Sequence, residues 1–417
     1  MGLNVAMRTG WSILLLVALV TLVAVAPTAA SARGYARPHI ELQVDSSGRI
    51  VAALGGGGGG RAAVARLLPD GRLDPTLAGD GTIGPWPSTE PAALALQGSG
   101  RIFVASQRRR RPPLLRKYRR NGLPDRSFGK KGAARIPVIP TGRLLAQPDG
   151  HVMALVLWTC PSSSCGYTFH YIEMRRYGPN GRDVTKKTHY QELWEFEAVD
   201  MDPAGRLVIA GADYDLGFHT FARFRPDGSL DPSLGGREGL EVREEDYYEP
   251  EPGQEALPAV SDLAIQPDGA FVLASQGGAS ELRWRNRNGS VDHGFGVDGV
   301  LTCAPVATAG QPQEREFVSV ASTAAGELVA TGGRAGCGLV RYLPDGSPDP
   351  GFGSDGGVDL EALGLPQPWA MALGPGGEIV LAGWDPDSRT VEISRFSSAG
   401  QLDGGFGTNG TTSLAGF

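Results

Sequence analysis

The sequence predicts an all-β protein: a seven-bladed β-propeller with four antiparallel strands per blade and an N-terminal signal helix outside the fold. Two landmarks and one apolar pattern predict it. A turn glycine recurs at Gly48, Gly100, Gly150, Gly205, Gly269, Gly326 and Gly377, at spacings of 52, 50, 55, 64, 57 and 51 residues. After each comes a run that is apolar at successive positions, such as Arg-Ile-Phe-Val-Ala after Gly100 and Glu-Ile-Val-Leu-Ala after Gly377. Such runs require burial on both faces, as in a sheet covered on two sides.

The second landmark is Gly-x-x-Asp-x-x-(Phe/Leu)-Gly. It appears at Gly71-Asp74-Leu77, Gly122-Asp125-Phe128, Gly228-Asp231-Leu234, Gly289-Asp292-Phe295, Gly346-Asp349-Phe352 and Gly400-Asp403-Phe406. The third copy, Gly181-Arg-Asp183, is degraded and lacks the aromatic residue. The last repeat shows the whole unit: Trp369–Leu373, a Gly374-Pro375-Gly376-Gly377 turn, Glu378–Gly383, Thr390–Phe396 and Thr411–Leu414. Four short runs bounded by Gly, Pro or Asp read as four strands. A β-solenoid has shorter rungs and needs capping ends, which the sequence lacks.

Gln266-Pro-Asp-Gly269-Ala-Phe-Val-Leu-Ala and Arg341-Tyr-Leu-Pro-Asp-Gly346-Ser-Pro-Asp349-Pro-Gly-Phe352-Gly353 resemble the delta-60 repeat of secreted bacterial proteins. The resemblance runs from about Ile40 to the end. It implies a repeat architecture and no shared reaction. The departures are the degraded third copy and the Gly55–Gly60 run in the first.

Residues 1–32 read as a secretory signal peptide. Arg8 is the positive flank, Trp11 to Ala26 the apolar stretch, and Ala30-Ser31-Ala32 the cleavage site. An uncleaved anchor is the alternative, but 16 residues is short against the roughly 20 of a spanning helix. Residues 33–417 form one domain, expected to be secreted or held at the cell surface.

Strands alternate in direction within a blade, so the first-turn glycines and the Gly-x-x-Asp segments share one end. The tips between second and third strands share the other end with the links to the next repeat. Length varies on this second end. The gap between landmarks is 20 to 23 residues in six repeats and 31 in the third. Variable loops on a rigid scaffold are where binding concentrates. The uniform Gly-x-x-Asp segments read as turn chemistry and not calcium loops, since one Asp per segment is too few ligands. Their Phe or Leu is expected between blades. Ring closure has two solutions: the fourth strand stays as the outer edge of its own blade, or it starts the next blade. The second is preferred, with Thr411–Leu414 pairing with Ile40–Val44 and each Asp-x-x-Phe-Gly segment a crossing between blades.

Four cysteines in an exported chain suggest two disulfides, Cys160–Cys165 and Cys303–Cys337, with a zinc site as the alternative. Net charge is −6, which implies no global attraction to nucleic acid or anionic membrane. Two local clusters stand out. Arg108, Arg109, Arg110 and Arg111, then Arg116, Lys117, Arg119 and Arg120, crowd the second repeat's tip and third strand. Glu241 to Glu255 hold seven carboxylates in one link, with Glu244, Glu245, Asp246, Tyr247 and Tyr248 at its centre. Both read as solvated loops or as a ligand-face patch near one end. The basic cluster suits an anionic polymer such as a cell-wall polysaccharide, and the two clusters could also pair between molecules. Only Tyr118 is interleaved for stacking, so nucleic acid is not an expected partner. The expected partner is a protein or cell-wall glycan, the expected state is monomeric, and membrane contact requires an uncut signal segment.

No metal-binding His pair, nucleophile elbow or phosphate loop is present. No catalytic, cofactor-binding or metal residue is assigned. His189, His219 and Glu195 are candidates for convergence on the axial channel. Trp86, Trp158, Trp194, Trp284, Trp369 and Trp384 are expected to pack between blades or stack on sugars. The expected function is a non-catalytic binding scaffold using the variable-loop face. The alternative is a propeller enzyme of lactonase or hydrolase, lyase or quinone-dependent dehydrogenase type, by analogy of fold.

Overall fold

The four runs of every repeat pair in sequence order. The computed structural model describes residues 39–55, 62–86, 93–106, 112–137, 143–160, 169–185, 189–190, 195–213, 218–234, 240–242, 259–276, 281–302, 317–332 and 337–415. They form seven antiparallel four-stranded sheets, blades 1 to 7, at 39–86, 93–135, 143–190, 195–242, 259–302, 317–358 and 368–414. The first strands are His39–Val44, Ala93–Leu96, Arg143–Ala146, Glu195–Met201, Ala259–Ile265, Phe317–Ser322 and Pro368–Leu373. They lie against one another at six of the seven seams, blade 7 against blade 1 included, and at the seam of blades 3 and 4 Glu195–Met201 lies against the third strand Phe169–Tyr177.

The second strands bury both faces, as their unbroken apolar runs require. Ile50–Gly55, Ile102–Ser106 and Leu328–Gly332 are buried throughout. Each face meets a different neighbour, so the described residues form seven apolar clusters, each straddling two blades. The Phe or Leu of the second landmark enters one of these seams in six blades: Leu77, Phe128, Leu234, Phe295, Phe352 and Phe406 are all buried. The third copy has no such residue. Its seam is filled by Met153 and Met174, whose unbranched side chains suit an irregular gap. Trp86, Trp284, Trp369 and Trp384 all pack against seam clusters. Trp158 and Trp194 have side chains outside the described residues.

Ring closure differs from the sequence expectation. Thr411–Leu414 pairs with Val391–Ser394 of its own blade, and Ile40–Val44 pairs with Ile50–Leu54. The Asp-x-x-Phe-Gly segment therefore joins third and fourth strands of one blade and is not a crossing between blades. The reason is a tight return. Gly410 N donates to Phe406 O at 2.9 Å and Arg395 N to Gly410 O at 3.1 Å, which sends the chain back beside its own third strand. The turn requires glycine: at Gly407 (φ +55°) an added Cβ would lie 1.9 Å from Thr411 O.

The segment still touches the next blade, through one amide. Ala78 N donates to Asn121 O, Gly129 N to Asn180 O, Gly296 N to Asp345 O, Gly353 N to Ala399 O and Gly407 N to Asp70 O, at 2.8 to 3.2 Å. The last of these closes blade 7 on blade 1, helped by Thr412 Oγ1 donating to Gly71 O at 3.0 Å. The closing seam is thus built like the others. Phe406→Ala empties that seam and should lower unfolding stability by about 3–5 kcal/mol, read by denaturant titration. A loss below about 1 kcal/mol would show that Phe406 does not hold the ring shut.

Candidate functional site

An innermost propeller strand pairs on one edge only, so alternate backbone N–H groups on its other edge need acceptors. At three seams, from blade 1 to 2, 4 to 5 and 5 to 6, the previous blade supplies them with side chains. Leu94 N donates to Glu41 Oε2 at 2.7 Å and Leu96 N to Gln43 Oε1 at 2.6 Å. Ile265 N donates to Asp200 Oδ2 and Val320 N to Asp262 Oδ2, each at 2.8 Å. Val260 N donates to Glu197, which sits at an irregularity in its strand. The geometry repeats: Glu41 and Asp262 stand seven residues before their first-turn glycines, Gln43 and Asp200 five before. Glu41, Gln43, Asp200 and Asp262 are all buried.

Two of these groups, Asp200 and Asp262, form a charged cluster with Arg143. Arg143, on the first strand of blade 3, lies 3.6 Å from Asp262 Oδ1 on blade 5. Ser319 Oγ of blade 6 donates to Asp262 Oδ2 at 3.1 Å. Burial pushes Asp200 up to about 7, with the charge of Asp262 adding to the rise and the amides of Ile265 and Met201 opposing it. Burial likewise pushes Asp262 up to about 6, against the pull of Arg143 and the Val320 amide. Two interacting carboxyls titrate as a pair. No cluster of three or more His, Cys, Asp or Glu able to hold a metal occurs among the described residues.

A second device, which reading the sequence for motifs missed, lies five residues before each second-landmark glycine. The residues there are Arg66, Lys117, Arg176, Arg223, Trp284, Arg341 and Arg395. Arg66 Nε donates to Asp74 at 2.7 Å while its Nη1 donates to Arg120 O of the next blade. Arg341 donates to Asp349 at 2.7 Å and to Ser398 O of the next blade. Lys117 Nζ reaches Pro179 O at 3.3 Å, and Arg223 Nη2 reaches Arg287 O at 2.6 Å. Arg341 and Arg395 also lie over Phe352 and Phe406. In blade 5, Trp284 replaces the cation and packs on Phe295 with ring centroids 4.8 Å apart. The signal was available as a column of Lys or Arg in six of seven repeats.

The sequence-predicted residues fall elsewhere. Arg108, Arg109, Arg110, Arg111, Glu244, Glu245, Asp246, Tyr247, Tyr248, Cys165, Cys303 and the signal segment lie outside the described residues. Cys160 ends the second strand of blade 3; Cys337 is buried just before the third strand of blade 6, and it is not a free thiol. The rest of the basic cluster is divided between the third strand and the turn after it. Arg116 is half-buried and Lys117 buried, both on the third strand, while Arg119 and Arg120 lie beyond it at the uniform end. The proposed convergence of His189, His219 and Glu195 does not occur. His189 is on the outermost strand of blade 3, His219 is buried on the third strand of blade 4, and only Glu195 is on an innermost strand.

The fold and its seams define a repeat-built seven-bladed β-propeller. Residues 46–77, 203–234 and 323–352 match the family model described as "Domain of unknown function (DUF5122) beta-propeller". No curated protein matches the chain. Among solved structures, a puromycin hydrolase mutant is similar with a TM-score of 0.50 and 14% identity, over 89% of this chain and 53% of that one. A quinoprotein alcohol dehydrogenase-like protein from Bacteroides thetaiotaomicron gives a TM-score of 0.42 and 10% identity, over 77% and 65%. A xyloglucanase from Xanthomonas campestris gives 0.43 and 12%, over 83% and 50%. The chain spans about half to two thirds of the length of these proteins, and the likeness is one of fold.

The raised pair has a thermodynamic consequence. A carboxyl whose folded pKa lies above its unfolded value of roughly 3.9 stabilises the fold below that value and loses the contribution as pH rises through the folded pKa. The Arg395 hydrogen bond holds Asp403 below the usual carboxylate range, and the Gly351 amide does the same for Asp349. Those groups stabilise at higher pH and lose their contribution as pH falls through their depressed folded pKa values. Between pH 8 and 5 the axial pair should dominate the carboxylate contribution, so Tm should rise on acidification. The rise should shrink in Asp200→Asn. A wild-type rise that the variant keeps in full would assign it to other groups.

Proposed function

We propose that the protein is an exported, monomeric binding scaffold of the delta-60 repeat kind, with no catalytic residue or cofactor of its own. What supports this reading is the use made of the innermost strands: Glu41, Asp200 and Asp262 are buried and accept hydrogen bonds from the next blade's amides. A general acid or base must reach a substrate proton, and these oxygens are occupied in holding the ring. The ligand face is the variable-loop end. Arg108, Arg109, Arg110, Arg111, Glu244, Glu245, Asp246, Tyr247 and Tyr248 form its candidate patch, and a protein or cell-wall glycan is its partner. Disulfides Cys160–Cys165 and Cys303–Cys337 brace that end, in keeping with the hairpin position of Cys160 and the burial of Cys337.

A second reading, an enzyme with an axial site, is favoured by one observation: the raised pair Asp200 and Asp262 beside Arg143. Groups poised near neutral pH are typical of catalytic sites. The two readings separate in one experiment. A glycan array and a panel of ester, lactone and glycoside substrates are tested with the wild type, with a variant carrying Ser-Gly replacements at 108–111 and 244–248, and with Asp262→Asn. The scaffold reading expects array binding that the loop variant loses at unchanged Tm, with no turnover. Turnover that Asp262→Asn abolishes would overturn it in favour of the enzyme.

A further inference from the structure

Blade 2 is charged unlike the rest of the chain. Residues 93–135 hold 13 of the protein's 39 Lys and Arg and one of its 45 Asp and Glu. That one acid, Asp125, is buried between Lys117 at 3.7 Å and Arg101 at 3.8 Å. No carboxylate of the blade is left to offset its outer cations. Arg119, Arg120, Arg126, Lys130 and Lys131 are all exposed, and none makes an ion pair among the described residues.

The topology brings these five together. Arg119 and Arg120 follow the third strand, Leu114–Tyr118, at the uniform end. Arg126, Lys130 and Lys131 lie on the segment that returns to the fourth strand, Ala133–Arg135, at the same end. Blade 3 extends the surface. Its Pro179–Arg182 turn sits against that segment, with Gly129 N donating to Asn180 O at 2.8 Å, and Arg182 is exposed. Arg135 continues the charge up the blade's outer edge. The cations thus run from the end face onto the rim, on the opposite end from the variable loops.

We propose that this surface binds a linear acidic glycan, a polysaccharide carrying carboxylate, sulfate or phosphate groups along its length. A line of unpaired cations with no interposed acid matches repeating anionic charge, and displaced counterions drive such binding. Stacking of nucleic acid bases requires exposed aromatic rings, and the aromatic residues of this blade, Phe103, Tyr118 and Phe128, are buried. A flat lipid surface would meet the end face but not the rim, and Leu123 is the one large apolar side chain exposed in the blade among the described residues. This surface is separate from the variable-loop patch, so either proposal can fail without the other.

The test uses the full chain with heparin as probe, dextran as neutral control, and duplex DNA and phosphatidylserine vesicles as competing anions. The charge-reversal variant is Arg126→Glu/Lys130→Glu/Lys131→Glu, with Arg287→Glu on blade 5 as control. Heparin should bind with strong salt dependence, and dextran should not bind. The triple variant should weaken heparin binding at least about tenfold and flatten the salt slope by about one per lost contact. It should keep its Tm and any glycan-array ligand of the variable-loop end, and Arg287→Glu should bind as wild type. Equal heparin binding by the triple variant would overturn the proposal. So would tighter binding to DNA or vesicles than to heparin, or a salt-dependent dimer that reversal dissolves.

Discussion

The ring rests on satisfying an edge. Seven separate sheets meet around an axis, and among the described residues no strand of one blade pairs with a strand of the next. Each innermost strand would leave a row of backbone amides without partners, at a cost of about 1–3 kcal/mol for each one buried. At three of the seven seams the previous blade answers with carboxylate or amide oxygens, as Glu41 does for Leu94, Asp200 for Ile265 and Asp262 for Val320. Using ionised carboxylates for this has its own cost. Burial raises Asp200 and Asp262 well above ordinary carboxyls, so these contacts hold neighbours together at some expense in charge solvation.

The outer half of each seam solves a different problem. There a basic side chain on the third strand ties its own blade's landmark Asp to a turn carbonyl on the next blade, as Arg66 and Arg341 do. The Phe or Leu three residues after that Asp fills the space beneath. One short segment therefore sets a turn, an ion pair and an interblade contact together. This accounts for the constancy of its length and for the freedom of the other end to vary.

Much of this was legible in the sequence, for a physical reason. Every blade needs the same turn glycines and the same buried aromatic or leucine, so those residues recur in columns. The blade count, the strand order and the seam position of Phe128 or Phe406 follow from those columns. The third-strand cation was equally visible as a column and was overlooked, because Arg66 or Arg341 alone looks like a surface charge. The inner-strand acceptors were not legible. The position occupied by Glu41 is Ala93, Arg143, Ala198, Asp262, Ser319 and Ala370 in the other repeats, so no column exists. Closure was misread because the Thr411–Leu414 pattern suits pairing with either neighbour. The return from Phe406 to Gly410 decides it, through backbone hydrogen bonds that side-chain patterns do not encode. The clustering of Arg119 with Lys130 and Lys131 also needed the fold, since a whole landmark separates them in the chain.

The central claim is that side chains of blades 1, 4 and 5 protect the free edge of the blade that follows. Residue-resolved amide hydrogen exchange tests it most directly. Leu94, Leu96, Ile265 and Val320 should exchange as slowly as amides paired inside a sheet, such as those of Ile102–Ser106. Exchange at those four amides as fast as in exposed turns would show that the edge is open to water and that the ring is held by apolar packing alone.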